Sequence, residues 1–194
     1  RESIQKAFRS LEVDLDGLEP KVSNDSDPSI KRSRSLDLKS LRFPTSYRLL
    51  KVKEAFAKGE SVERLYELTK IDRWFLNQIK IISSFNKNHS LKELKSNGFS
   101  DVQIGKMMKK STAEIRSTRI SKYIKPVFKL VDTCAAEFVA RTPYCYSSYE
   151  QYNDIEPLEG KKMVILGGGP NRIGQGIEFD YCCVQAVKAF KKLG

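Results

Sequence analysis

The chain has 194 residues, with 35 Lys and Arg against 24 Asp and Glu and a net charge of +11. That length allows one domain plus extras. No apolar run approaches the ~20 residues a membrane-spanning helix needs, and a single histidine, His89 in a polar stretch, leaves no material for histidine-based catalysis or multi-histidine metal sites. Four cysteines (Cys134, Cys145, Cys182, Cys183) lack paired Cys-x-x-Cys spacing, so no zinc site is expected. Adjacent Cys182 and Cys183 suit a buried helix better than a disulfide, and a reducing compartment is expected.

Residues 1–11 carry helical spacing (Ile4, Ala7, Phe8, Leu11) and read as a loose tail in the absence of a parent domain. From 12 to 153 the pattern is mainly α-helical. Residues 22–35 are rich in Ser, Asp and Lys/Arg and read as loop. Leu49, Val52, Lys53 and Phe56 then share a helical face that Gly59 is placed to end. Ser61 opens a short helix through Leu65 and Leu68, and Asp72 caps another whose face presents Phe75, Ile79 and Ile82. Leu91 and Leu94 continue the series to Gly98. Trp74 is expected in the core; exposed, Trp74 and Phe75 would instead call for a partner to cover them.

Residues 80–129 hold twelve Lys/Arg against three acids (Glu93, Asp101, Glu114), a local +9. Gly98 to Arg119 has the look of a helix-turn-helix, with Ser111 and Glu114 as a capping box and Arg116 and Arg119 facing out. Such a pair can enter a major groove, with strongly salt-dependent binding. The blander reading is two core helices with solvated lysines. It is preferred, because such a pattern is common wherever small helices turn tightly. From Val127 the chain reads as extended and irregular, with Pro143 and Pro157 opposing helix.

The last stretch is the most specific. An apolar run, Met163–Leu166, drops into a glycine-rich turn and then a helix-like segment, the opening of a β-loop-α unit. Counting Gly-x-Gly-x-x-Gly from Gly167 puts Arg172 where the third glycine belongs. Gly169 and Gly174 have phosphate-loop spacing, but Gln175 and Gly176 follow in place of Lys and Ser/Thr. Neither generic motif is met. A lone strand and helix cannot bury their apolar faces, so the chain reads as part of a larger protein.

The string Gly167–Cys183 (GGGPNRIGQGIEFDYCC) resembles the start of the second synthetase half of carbamoyl phosphate synthetase large subunits. Glu2–Val13 looks like the end of the first ATP-grasp domain in that family. Ile71–Leu76 and Val131–Phe138 look like the helical domain joining the halves, and Thr142–Tyr149 resembles its extended exit. Gln185 and Cys145 depart from the His and Met usual in bacterial relatives.

The resemblance implies a mainly α fold: a small helical domain with irregular connections, followed by a truncated β-loop-α unit of a Rossmann-like, pre-ATP-grasp domain. Its expected boundaries are 1–11 (tail of the first ATP-grasp domain), 12–153 (helical oligomerisation or linker domain) and 154–194 (start of the second synthetase domain). It implies a parent ATP-dependent ligase making carbamoyl phosphate from bicarbonate, glutamine-derived ammonia and two ATP, for pyrimidine and arginine biosynthesis. The parent would use ATP, Mg²⁺ or Mn²⁺, and K⁺, held in ATP-grasp domains that this chain almost wholly lacks. No cofactor, metal or catalytic residue is therefore expected here, and the chain alone should be inactive. Implied partners are a glutaminase subunit or fused glutaminase domain and further copies of the helical domain, in the cytoplasm or a plastid. Neither a membrane nor nucleic acid is expected. Allosteric regulation in the family belongs to a far C-terminal domain. The glycine-rich loop borders the route of the carbamate intermediate, which assigns Asn171, Arg172, Gly176 and Glu178 to its lining.

Overall fold

Hydroxyl and carboxylate caps set most helix starts in the first part of the chain. A computed structural model describes residues 1–11, 15–20, 37–139, 142–167 and 178–194. The described chain divides into two units, Arg1–Asp154 and Ile155–Gly194. In the first, helix α1 (Glu2–Ser10) leads into the short antiparallel strands β1 (Leu15–Gly17) and β2 (Glu19–Pro20). A 3₁₀ turn, Leu38–Arg42, begins where the Asp37 side chain accepts from Lys39 N–H at 3.0 Å.

Six helices follow, most with a cap that completes the orphan N–H groups of the first turn. Helix α2 is Arg48–Ala57, ended as expected by Gly59, whose φ of +93° favours glycine. Helix α3 (Val62–Thr69) starts at Ser61, which accepts from Arg64 N–H at 3.1 Å. Helix α4 (Arg73–Ser84) starts at Asp72, which accepts from Trp74 N–H at 2.7 Å. Helices α5 (Leu91–Ser96), α6 (Asp101–Met108) and α7 (Thr112–Ser121) each carry a full capping box: Ser90 with Glu93, Ser100 with Gln103, and Ser111 with Glu114. The turn from α6 to α7 folds back tightly. Lys110 N–H donates to Gly105 O at 2.9 Å, and a Cβ on Gly105 would lie 2.6 Å from Lys110 O. Strands β3 (Val127–Leu130) and β4 (Cys145–Ser148) then pair antiparallel, Phe128 opposite Ser147.

One apolar core joins these helices, built from Val52, Phe56, Leu65, Leu68, Leu76, Ile79, Ile82, Leu94, Phe99, Ile104 and Ile115, with Leu41 from the 3₁₀ turn. Burial of this kind, worth about 1.5–3 kcal/mol for each large side chain, is what drives short helices to fold. The spacing of Leu49, Val52 and Phe56, of Leu65 and Leu68, and of Leu91 and Leu94 places them as expected, inside or against the core.

Four expectations about this first unit need correction. Leu76, fully buried, takes the inward position of α4, whereas Phe75 is 51% exposed. Both lie within one turn of Ile79, and packing against α2 and α3 selects Leu76. Trp74 is outside the core at 62% exposure. Residues 1–11 are no loose tail: α1 packs on β1, with Gln5 and Phe8 buried, and Leu18 N–H donates to the Gln5 side-chain oxygen at 2.7 Å. Arg119 faces inward, 11% exposed, because it sits one turn after buried Ile115 and reaches Asp101. Residues 22–35 lie outside the described residues.

In the second unit, helix α8 (Glu178–Leu193) follows the glycine-rich stretch as expected. Residues 161–167 run beside it, with Lys161 Nζ donating to Gly194 O at 3.2 Å. No strand forms at Met163–Leu166: among the described residues of this unit no segment offers it a hydrogen-bonding neighbour. Met163, Val164 and Leu166 are exposed, as is Cys182, which corrects the expectation that the cysteine pair is buried. The fold is mainly α, with two small two-stranded ribbons in the first unit and one helix after an irregular lead-in in the second, among the described residues.

Candidate functional site

Two features of the helical unit stand out, and each grows from how α4 to α7 are set. The first is the outer face of α4. Because Leu76, Ile79 and Ile82 point inward, Trp74 and Ile81, seven residues apart, share the opposite side, with Phe75 next to Trp74. The Trp74 and Phe75 rings meet edge to face, centroids 4.9 Å apart. Charged groups border them: the Arg73 guanidinium lies 3.6 Å over the Tyr66 ring and pairs with Glu63 at 2.9 Å. Beyond Gln78, Arg1 donates to the Gln78 side-chain oxygen at 3.0 Å. An aromatic centre with a polar rim has the composition of an interface rather than of an ordinary wet surface.

The second feature is a charge node between α5, α6 and α7. Asp101, at the start of α6, pairs with Lys95 of α5 at 2.8 Å and with Arg119 of α7 at 3.1 Å. All three side chains are at most 14% exposed. Lys95 also donates to Phe99 O at 2.9 Å, and Arg119 to Ile124 O at 3.4 Å. The Tyr149 ring faces both cations, at 4.9 Å from Lys95 Nζ and 5.8 Å from the Arg119 guanidinium. Burial pushes the Asp101 carboxyl up, but hydrogen bonds and attraction from Lys95 and Arg119 outweigh it and hold the carboxyl below its ordinary value. Burial likewise lowers the Lys95 ammonium, against the pull of Asp101.

This node answers the helix-turn-helix reading. Arg119 and Lys95 are spent inside the unit, and Lys106 pairs with Asp16 at 2.6 Å, leaving Arg116 exposed on α7. Nothing among the described residues favours a nucleic-acid site. The node itself was not read from the sequence. Its signals are Asp101, one of only three acids in a basic run, and Arg119 one turn from an apolar position.

The expected channel residues are differently placed. Asn171, Arg172 and Gly176 lie outside the described residues, and Glu178 is described only as the first residue of α8. Among the described residues no three His, Cys, Asp or Glu side chains gather as a metal site would need. None of the described helices is long and apolar enough to cross a membrane.

Residues 1–123 match the family described as carbamoyl-phosphate synthetase large chain, oligomerisation domain, and residues 159–194 match the carbamoyl phosphate synthase preATP-grasp domain. Along its whole length the chain is similar to the carbamoyl phosphate synthase large chains of Pseudomonas aeruginosa (44% identity), Archaeoglobus fulgidus (43%) and Deinococcus radiodurans (43%). It spans 19% of the length of each of these relatives.

Proposed function

We propose, for a chain that belongs to the carbamoyl-phosphate synthetase large-chain family through its oligomerisation domain, that it is the connector of such an enzyme. In this reading the helical part joins two synthetase halves and associates with a second copy of itself. The single observation that carries it is the outward Trp74–Phe75 pair, its rings meeting edge to face on α4. Residues 1–11 would close the first ATP-grasp domain, 12–153 form the helical connector, and 154–194 open the second synthetase domain.

The parent enzyme would make carboxyphosphate from bicarbonate and ATP, take ammonia from a glutaminase subunit or fused domain to form carbamate, and phosphorylate it with a second ATP. Mg²⁺ or Mn²⁺ would offset charge on the transferring phosphates, with K⁺ beside it. The proposal includes a cytoplasmic or plastid setting.

The chain's share in the chemistry would be to border the carbamate route with Asn171, Arg172, Gly176 and Glu178. Glycine at 176 leaves room for a small intermediate. A carboxylate at 178, where α8 begins, suits the positive end of a helix and can pair with a nearby arginine while staying charged. The test is Gly176→Phe in the full-length enzyme. The ATPase of each half should persist while carbamoyl phosphate formed per ATP falls several-fold. Equal loss of both would contradict the channel role.

A further inference from the structure

The β3–β4 ribbon is held to the helical unit by something other than apolar burial. The core that unites α1 to α7 ends at Ile115, with Ile124 packed on its margin, and no described residue from 127 to 154 joins it. The ribbon's large side chains Phe128, Tyr144 and Tyr146 are exposed. Its ties to the helices are polar. The Lys6 ammonium donates to Ser147 O, and the Tyr149 ring lies against Lys95 and Arg119.

The charge node explains why an aromatic ring sits there. Two cations share one carboxylate, so the node holds a surplus positive charge where water is largely excluded. Among the described residues, the carbonyls of Phe99 and Ile124 and the negative face of the Tyr149 ring offset it. Further along, the chain folds back on the ribbon. Asp154 pairs with Lys129 at 2.6 Å and its N–H donates to Phe128 O at 2.9 Å. Whatever fastens the ribbon therefore also fixes the point where the chain leaves the first unit.

We propose that Tyr149 is a strap residue whose ring face, docked on Lys95 and Arg119, fastens the ribbon and the departing chain to the helical unit. Releasing it frees the ribbon while α2 to α6 stay folded. The ribbon is thus a separately opening part of the unit, locked chiefly by one aromatic ring on two cations.

Hydrogen exchange of the full chain, read segment by segment, tests this. Tyr149→Leu should speed exchange of the ribbon amides at 127–131 and 145–148 about tenfold, the worth of a partly buried cation–π contact. Exchange in α3 and α4 should not change. Tyr149→Phe, which keeps the ring face and loses only the hydroxyl, should match the wild type. Unchanged ribbon exchange in Tyr149→Leu would overturn the proposal, as would an equal rise in the helices. A Tyr149→Phe variant as loose as Tyr149→Leu, or a Tyr149→Leu chain that does not fold, would overturn it too, since a strap is detachable and works through its ring.

Discussion

Replacing Asp101 by alanine should destabilise the first unit by about 3 kcal/mol, the low end of the range for removing one partner from a buried ion pair. The cost comes less from lost attraction than from what is left behind. Lys95 and Arg119, at 8% and 11% exposure, would face each other with no counter-charge. In thermal melts this corresponds to a fall of roughly 6–12 °C for a unit of this size. Acid should reproduce the loss in the wild type. The Asp101 carboxyl is held below its ordinary value in the folded chain, so its contribution is complete above the unfolded value of about 4. It disappears as pH falls through the depressed folded value, where wild type and Asp101→Ala should converge. A loss under 1 kcal/mol at neutral pH, or parallel acid curves, would show that the node is solvated rather than structural.

Leu76→Ala should cost about 2–5 kcal/mol, whereas Phe75→Ala should stay within about 0.5 kcal/mol. The two residues are adjacent and both apolar, yet Leu76 is fully buried against α2 and α3 while Phe75 is half exposed. Truncating Leu76 leaves a cavity that Ile79 and Ile82 cannot close without moving the helix. Truncating Phe75 removes a ring that leans on Trp74 at the surface. Urea denaturation of the two variants checks this, and similar losses, or the reverse order, would refute the assignment of faces on α4.

Much of this fold was legible in the residues because its helices announce their own starts. Ser61, Asp72 and Ser111 each cap the helix assigned to them, Gly59 ends α2, and the leucine and isoleucine spacing locates the buried stripe. Periodicity failed where it admits two answers. Phe75 and Leu76 fit the Ile79 face equally well, and only the neighbouring helices decide between them. Arg119 reads as outward because charge usually faces water, but its partner, Asp101, lies 18 residues away on another helix. The Met163–Leu166 strand depends on a neighbour that the described residues do not supply. As for the channel residues, the string from Gly167 to Cys183 was specific enough to suggest a family, but Asn171, Arg172 and Gly176 lie outside the described residues, so their role rests on resemblance alone.

Sedimentation equilibrium of the wild-type chain and of Trp74→Glu, over a wide concentration range at low and high salt, tests the connector reading most directly. Self-association through the aromatic face of α4 predicts a reversible oligomer that survives high salt, since apolar burial is not screened. It also predicts that Trp74→Glu is monomeric and melts at the temperature the wild type shows when diluted to monomer. A wild-type chain that stays monomeric at every concentration, or a Trp74→Glu variant that associates as the wild type does, would contradict it.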